Sequence, residues 1–98
     1  MLYAVLFQDN PEHEDQRPTH MSAHLAFLDT HAHQILSAGP LFAADGTGRG
    51  GMWLVEAADA DTVEALTRAD PFFPTGLRKS ITVLEWRQVF RDGAPVAR

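Results

Sequence analysis

The chain opens on the apolar run Leu2-Tyr3-Ala4-Val5-Leu6-Phe7, closed by the polar stretch Gln8-Asp9-Asn10-Pro11. A short run rich in aromatic and aliphatic side chains, bounded by turn formers, predicts a strand. Successive side chains of a strand point to opposite faces, so Leu2, Ala4 and Leu6 share one face and Tyr3, Val5 and Phe7 the other. A sheet wetted on one side alternates apolar with polar positions. Here both faces are apolar, and both are expected to be covered.

Residues 10 to 18 are polar and charged and read as a loop. A helix follows, with Asp15 or Thr19 as cap and Pro18 tolerated in its first turn. Met21, Leu25, Leu28, Ala32 and Ile35 recur at alternating spacings of four and three, which predicts an amphipathic helix facing a core with that stripe. Ser37-Ala38-Gly39-Pro40 is expected to end the region as rigid punctuation, with a short strand at Leu41 to Ala44. The segment from Asp45 to Gly51 carries four glycines in an order that matches neither a P-loop nor a dinucleotide fingerprint, so it is read as a hairpin loop. Met52 to Val55 is the next strand. Asp59 and Asp61 offer caps for a second helix whose Val63, Leu66 and Ala69 face inward, and Asp70-Pro71 breaks it. An apolar turn, Phe72 to Leu77, leads to a last strand from Ser80 to Trp86 that runs on toward Phe90, and the tail from 92 to 98 is expected to fray.

The order β-α-β-β-α-β is that of a ferredoxin-like unit: α+β, with a four-stranded antiparallel sheet and both helices on one face. Helices cover one face of such a sheet. The doubly apolar first strand therefore predicts a homodimer that buries the other face.

Length and composition fit one domain spanning residues 1–98. Of the 98 residues, 45% are hydrophobic and 21% charged, the balance of an ordinary globule rather than a disordered chain. The first apolar run is far shorter than the roughly 18 to 20 residues that span a bilayer, and no basic flank precedes it, so neither a membrane span nor a signal peptide is expected. The absence of cysteine excludes a disulfide scaffold, a thiolate nucleophile and sulfur-ligated zinc. A net charge of -5 with scattered basic residues opposes nucleic-acid binding. The expected setting is cytoplasmic.

Chemistry concentrates at histidine. Five are present, and His20, His24 and His31 fall within about 40° of one another on the first helix, on the border of its apolar stripe. His20 and His24 stand at a spacing that can chelate a metal, but no third ligand follows from local spacing, and no metal site is assigned. His20 and His31 are read as flank residues. Asp70 sits at the C-terminal end of the second helix, where the dipole disfavours a carboxylate. It needs either solvent or a cationic partner, and His24 is the best-placed imidazole. No serine or cysteine motif points to a covalent nucleophile.

These residues resemble the YciI-like family of small bacterial proteins. The resemblance runs from Leu2 to Phe90 and rests on the opening strand, Ala23-His24-Leu25 with Leu28, Ala38-Gly39-Pro40-Leu41, Ala69-Asp70-Pro71-Phe72 with Gly76-Leu77, and Val89-Phe90. It implies a dimeric α+β barrel, and it implies that His24 and Asp70 match the family's suspected catalytic pair. Arg17 resembles a basic position of relatives and is carried as a substrate-binding candidate. One relative is a dehydrochlorinase acting on a chlorinated hydroxyhydroquinone, and the fold is shared with muconolactone isomerases and cofactor-free oxygenases.

The reading favoured by these features is a cofactor-independent enzyme of lyase, isomerase or dehydrochlorinase type acting on a small molecule. His24 would be the general acid/base and Asp70 the residue that fixes its tautomer. An Asp70 oxygen is then expected about 2.6 to 3.2 Å from an imidazole nitrogen, with the other nitrogen facing a cavity lined by groups such as Phe72 and Tyr3 and walled in part by Gly39. The alternative is a non-enzymatic ligand-binding or interaction domain held together by the same pair.

Overall fold

The computed structural model describes residues 1–97. Strand β1 (Leu2–Asp9) leads through a 3-10 turn at Pro11–His13 into helix α1 (Gln16–Thr30), followed by β2 (Ile35–Phe42), β3 (Gly48–Glu56), helix α2 (Ala60–Ala69), a 3-10 turn at Phe73–Thr75 and β4 (Arg78–Glu85). The sheet is antiparallel in the order β2-β3-β1-β4, with each helix crossing between strands that are not neighbours. This is the ferredoxin-like arrangement expected from the sequence. Residues 90–95, which straddle the expected end of the last strand and start of the frayed tail, form a two-stranded hairpin, β5 (Phe90–Arg91) with β6 (Ala94–Pro95). No helix among the described residues is long and apolar enough to cross a membrane.

The two faces of β1 have different fates. Tyr3, Val5 and Phe7 are buried beneath the helices with Trp53, Val55, Ile35, Val63 and Leu66. Ala4 stands opposite Leu54 and Leu84, and Leu6 opposite Met52, so these side chains share the outer face. Leu6 and Leu84 there remain 38% and 50% exposed, an apolar surface that the chain's own helices do not cover.

Helix α2 is capped as expected: Asp59 accepts the Thr62 N–H at 2.8 Å. Its buried residues are Val63, Leu66 and Thr67, whereas Ala69 faces solvent. Helix α1 departs from expectation in two ways. It stops at Thr30, and Ile35 belongs to β2. Its only fully buried residue is His24, while Leu25 is 56% exposed. Asp15 stands at the cap position without donating or accepting a side-chain capping bond. Of the apolar stripe on α1, Leu28 packs against the core, whereas His24 and Phe27 of the strip beside it turn inward.

Strand β2 is also longer than expected and includes Gly39 and Pro40. It is an edge strand, bonded to β3 alone, where proline's missing N–H costs least. Gly39 has no positive φ and lies inside β2, so the Gly39-Pro40 pair does not act as punctuation ahead of that strand. The glycine run is likewise partly strand. Gly50 adopts φ +83° inside β3, and a Cβ there would lie 1.8 Å from the Phe7 carbonyl oxygen. Only glycine allows that approach.

Candidate active site

Asp70 follows the last residue of α2 in an extended conformation, φ −63° and ψ 134°, as the residue before a proline must. That break turns its carboxylate inward, where it is wholly buried. One oxygen, Oδ1, accepts from Nδ1 of His24 at 2.9 Å and from the Phe72 backbone N–H at 3.1 Å. Oδ2 lies 3.1 Å from the same imidazole nitrogen and 2.7 Å from Nη1 of Arg78. This last contact is a close ion pair in which the N–H is not aligned for a hydrogen bond. Burial pushes the Asp70 carboxyl up, but the His24 bond, the Arg78 charge and the Phe72 N–H outweigh it, and the group is held below the ordinary carboxylate range. Asp70 is therefore ionised and accepts only, so Nδ1 of His24 carries the proton and Nε2 presents its lone pair whenever the ring is neutral.

Phe72 fixes the imidazole from one side, with the rings stacked 4.2 Å apart at 22°. Arg78 is held by rings as well: its guanidinium lies 3.8 Å from the Phe7 centroid, 5.2 Å from Trp53 and 5.5 Å from Phe72. Burial lowers its pKa, against the pull of Asp70 and with Arg17 adding repulsion. Arg78 faces inward because the β1–β4 register shifts between Gln8 and Asp9. Ser80 stands opposite Gln8, and Asp9 then meets Arg78 rather than Lys79.

His24 lines a cavity of about 770 Å³ between α1, the β2–β3 hairpin and the start of β4. Met21, Leu25 and Leu28 wall it, which explains why most of the apolar stripe of α1 is not buried in the core. Arg17 also lines it, ion-paired to Asp9 and 5.7 Å from the Phe72 ring, and Gly39 contributes to the opposite wall. Two expected lining groups do not reach it. Phe72 is 1% exposed behind the imidazole, and Tyr3 is buried in the core with its hydroxyl near the Met1 sulfur. His20 bonds to Gln16 and His31 packs on Phe27, outside the cluster. Among the described residues, no three His, Asp or Glu side chains converge as metal ligands. Arg78 was not singled out in the sequence, where a basic residue starting a strand carries no signal of burial.

The profile of the YCII-related domain matches residues 1–87. No curated protein matches the chain. The fold is similar to that of 5-chloro-2-hydroxyhydroquinone dehydrochlorinase (TftG) from Burkholderia phenoliruptrix AC1100, solved in complex with 2,5-dihydroxybenzoquinone. The two share 29% identity over 89% of this chain and 94% of that one, with a TM-score of 0.77.

Proposed function

The chain belongs to the YCII-related domain family, and from that membership and the geometry of His24 we propose that it is a small-molecule enzyme performing proton transfer without a cofactor. One observation carries this reading. The imidazole has one nitrogen fixed by a buried carboxylate and, among the described residues, its other nitrogen without a protein hydrogen bond, on a side chain that lines a cavity. Nε2, which carries the free lone pair of the neutral ring, is suited to remove or return a proton at a carbon next to a carbonyl. Asp70 keeps the proton on Nδ1 and stabilises the ring as it becomes charged. In an elimination of the dehydrochlorinase type, Nε2 would take the proton as the carbon–halogen bond breaks and halide departs. Arg17 and Gly39 are assigned to the substrate's walls, and Phe72 to holding the imidazole in place.

The same reading includes a homodimer across the outer face formed by Ala4, Leu6, Leu54 and Leu84. Exposed apolar side chains in one contiguous row favour burial against a partner. A cytoplasmic location also belongs to it.

The test is deuterium exchange. The protein is incubated in deuterated buffer with 2,5-dihydroxybenzoquinone, enolisable lactones, quinols and haloaromatics, and carbon-bound hydrogen is followed by NMR. Exchange or halide release that is lost in His24→Ala supports the enzyme. Binding without turnover across the panel supports a ligand-binding domain instead.

A further inference from the structure

The cavity gathers positive charge in an acidic protein. Arg17, Arg49, Arg78 and Lys79 all line it, four of the chain's eight Lys and Arg residues, although the net charge is -5. Only Asp9 and Glu14 among its lining residues are acidic. With the buried Asp70 that pairs with Arg78 counted as well, the site holds an excess of one positive charge. A random surface of this protein would carry a negative excess.

The four cations differ in depth and pairing. Arg78 is innermost, its side chain 7% exposed, paired to Asp70 and flanked by aromatic rings. Arg17 is 32% exposed and paired to Asp9. Arg49 and Lys79 are exposed, and among the described residues neither has a carboxylate within 4 Å. Unpaired cations at the edge of a partly apolar cleft raise the local concentration of anions and favour bound negative charge. Apolar side chains share the lining: Met21, Leu25 and Leu28 of α1 and Leu41 of β2. A ligand matching both kinds of lining has a flat or compact apolar body and an ionised oxygen.

We propose that this cavity is an anion site, in which Arg49 and Lys79 at the rim and Arg17 and Arg78 deeper in select a small molecule carrying a carboxylate, phenolate or enolate oxygen. This rests on the cavity of the proposed function and names the charge class of its ligand. It assigns binding roles to Arg49, Lys79 and Arg78 on charge and position. During proton removal from carbon, negative charge grows on the neighbouring oxygen, and the same cations stabilise it.

The test uses matched pairs. Benzoate, salicylate and 4-nitrophenolate are titrated into the isotope-labelled protein beside benzamide, salicylamide and 4-nitroanisole, and amide shifts report affinity and location. The anions are expected to bind about tenfold more tightly than their neutral partners at low salt, with shifts mapping to residues 49–51 and 78–79, and to lose most of that advantage near 1 M salt, where screening is short-ranged. Arg49→Gln with Lys79→Gln is expected to weaken anion binding about tenfold and leave the neutral ligands unchanged. Both positions are exposed, so the variant folds. Equal affinity within each pair, no binding by the anions, or anion binding unchanged in the double variant overturns the proposal. His24→Ala separates the two ideas: the anion preference survives there even if no reaction is ever found. Conversely, His24-dependent exchange with no charge preference keeps the enzyme and removes the anion site.

Discussion

Phe72 grips both members of the His24–Asp70 pair at once. Its ring stacks on the imidazole at 4.2 Å, while its backbone N–H donates to the Asp70 carboxylate at 3.1 Å. The side chain and main chain of one residue therefore fix the two groups in register. Phe72→Leu keeps the N–H and removes the stacking. It is expected to cost about 1 to 2 kcal/mol in urea unfolding and to lower exchange activity more than Phe73→Leu, a substitution at the exposed neighbouring ring.

Asp70 makes the fold sensitive to acid. Its native pKa lies below the ordinary carboxylate value, so its stabilisation is fully present above about pH 4 and is lost as pH falls through the depressed native pKa. Urea midpoints measured from pH 6 down to pH 2 are expected to fall more steeply for the wild type than for Asp70→Asn. At pH 7 the variant is expected to be about 3 kcal/mol less stable, because it leaves the Arg78 charge buried without its partner.

Arg78 is held over aromatic rings as well as by charge. Arg78→Lys keeps the positive charge and loses the guanidinium's contact with the Phe7 ring. A loss of about 1 to 2 kcal/mol is expected by thermal or urea unfolding, and Arg78→Ala is expected to lose more, since Asp70 then keeps only the imidazole and the Phe72 N–H.

Two glycines separate close approach from open space. At Gly50 a Cβ would collide with the Phe7 carbonyl at positive φ, and Gly50→Ala is expected to destabilise by about 3 kcal/mol or more. At Gly39 a Cβ would meet nothing within 4 Å and φ is not positive. Gly39→Ala is expected to change stability by less than about 1 kcal/mol, so any effect on ligand affinity there reads out the cavity wall.

The outer sheet face gives a solution test. Leu84→Lys places a charge in the exposed apolar row without touching the core. Light scattering is expected to give a dimer mass for the wild type and a monomer mass for the variant at micromolar concentration, with unfolding still cooperative. A monomeric wild type would remove the dimer from the proposed function.

Much of the frame was legible in the residues. The two-sided β1, the Asp59 cap and the Asp70-Pro71 break each carry their own local signal, and they order the elements correctly. The His24–Asp70 contact was legible once the resemblance added weight to a carboxylate at a helix end. Helix α1 misled because apolar periodicity reports which side chains avoid water, and a cavity wall satisfies that as well as a core does. The start of strand β2 was misplaced because glycine and proline are read as punctuation, whereas an edge strand tolerates both. Arg78 was hidden for a topological reason: strand alternation from Ile81 and Val83 puts it on the outer face, and a register shift reverses that.

The bulge between Gln8 and Asp9 thus makes the chemistry of the pair depend on strand pairing as well as on residue identity. With unbroken pairing Lys79 would stand opposite Asp9, and Trp53, Val55 and their neighbours would pack as before, yet the guanidinium would turn into water and leave the carboxylate to the imidazole. Within one scaffold, a change of pairing at this single step would therefore retune the site while sparing the core, a change that a comparison of aligned residue types would not reveal.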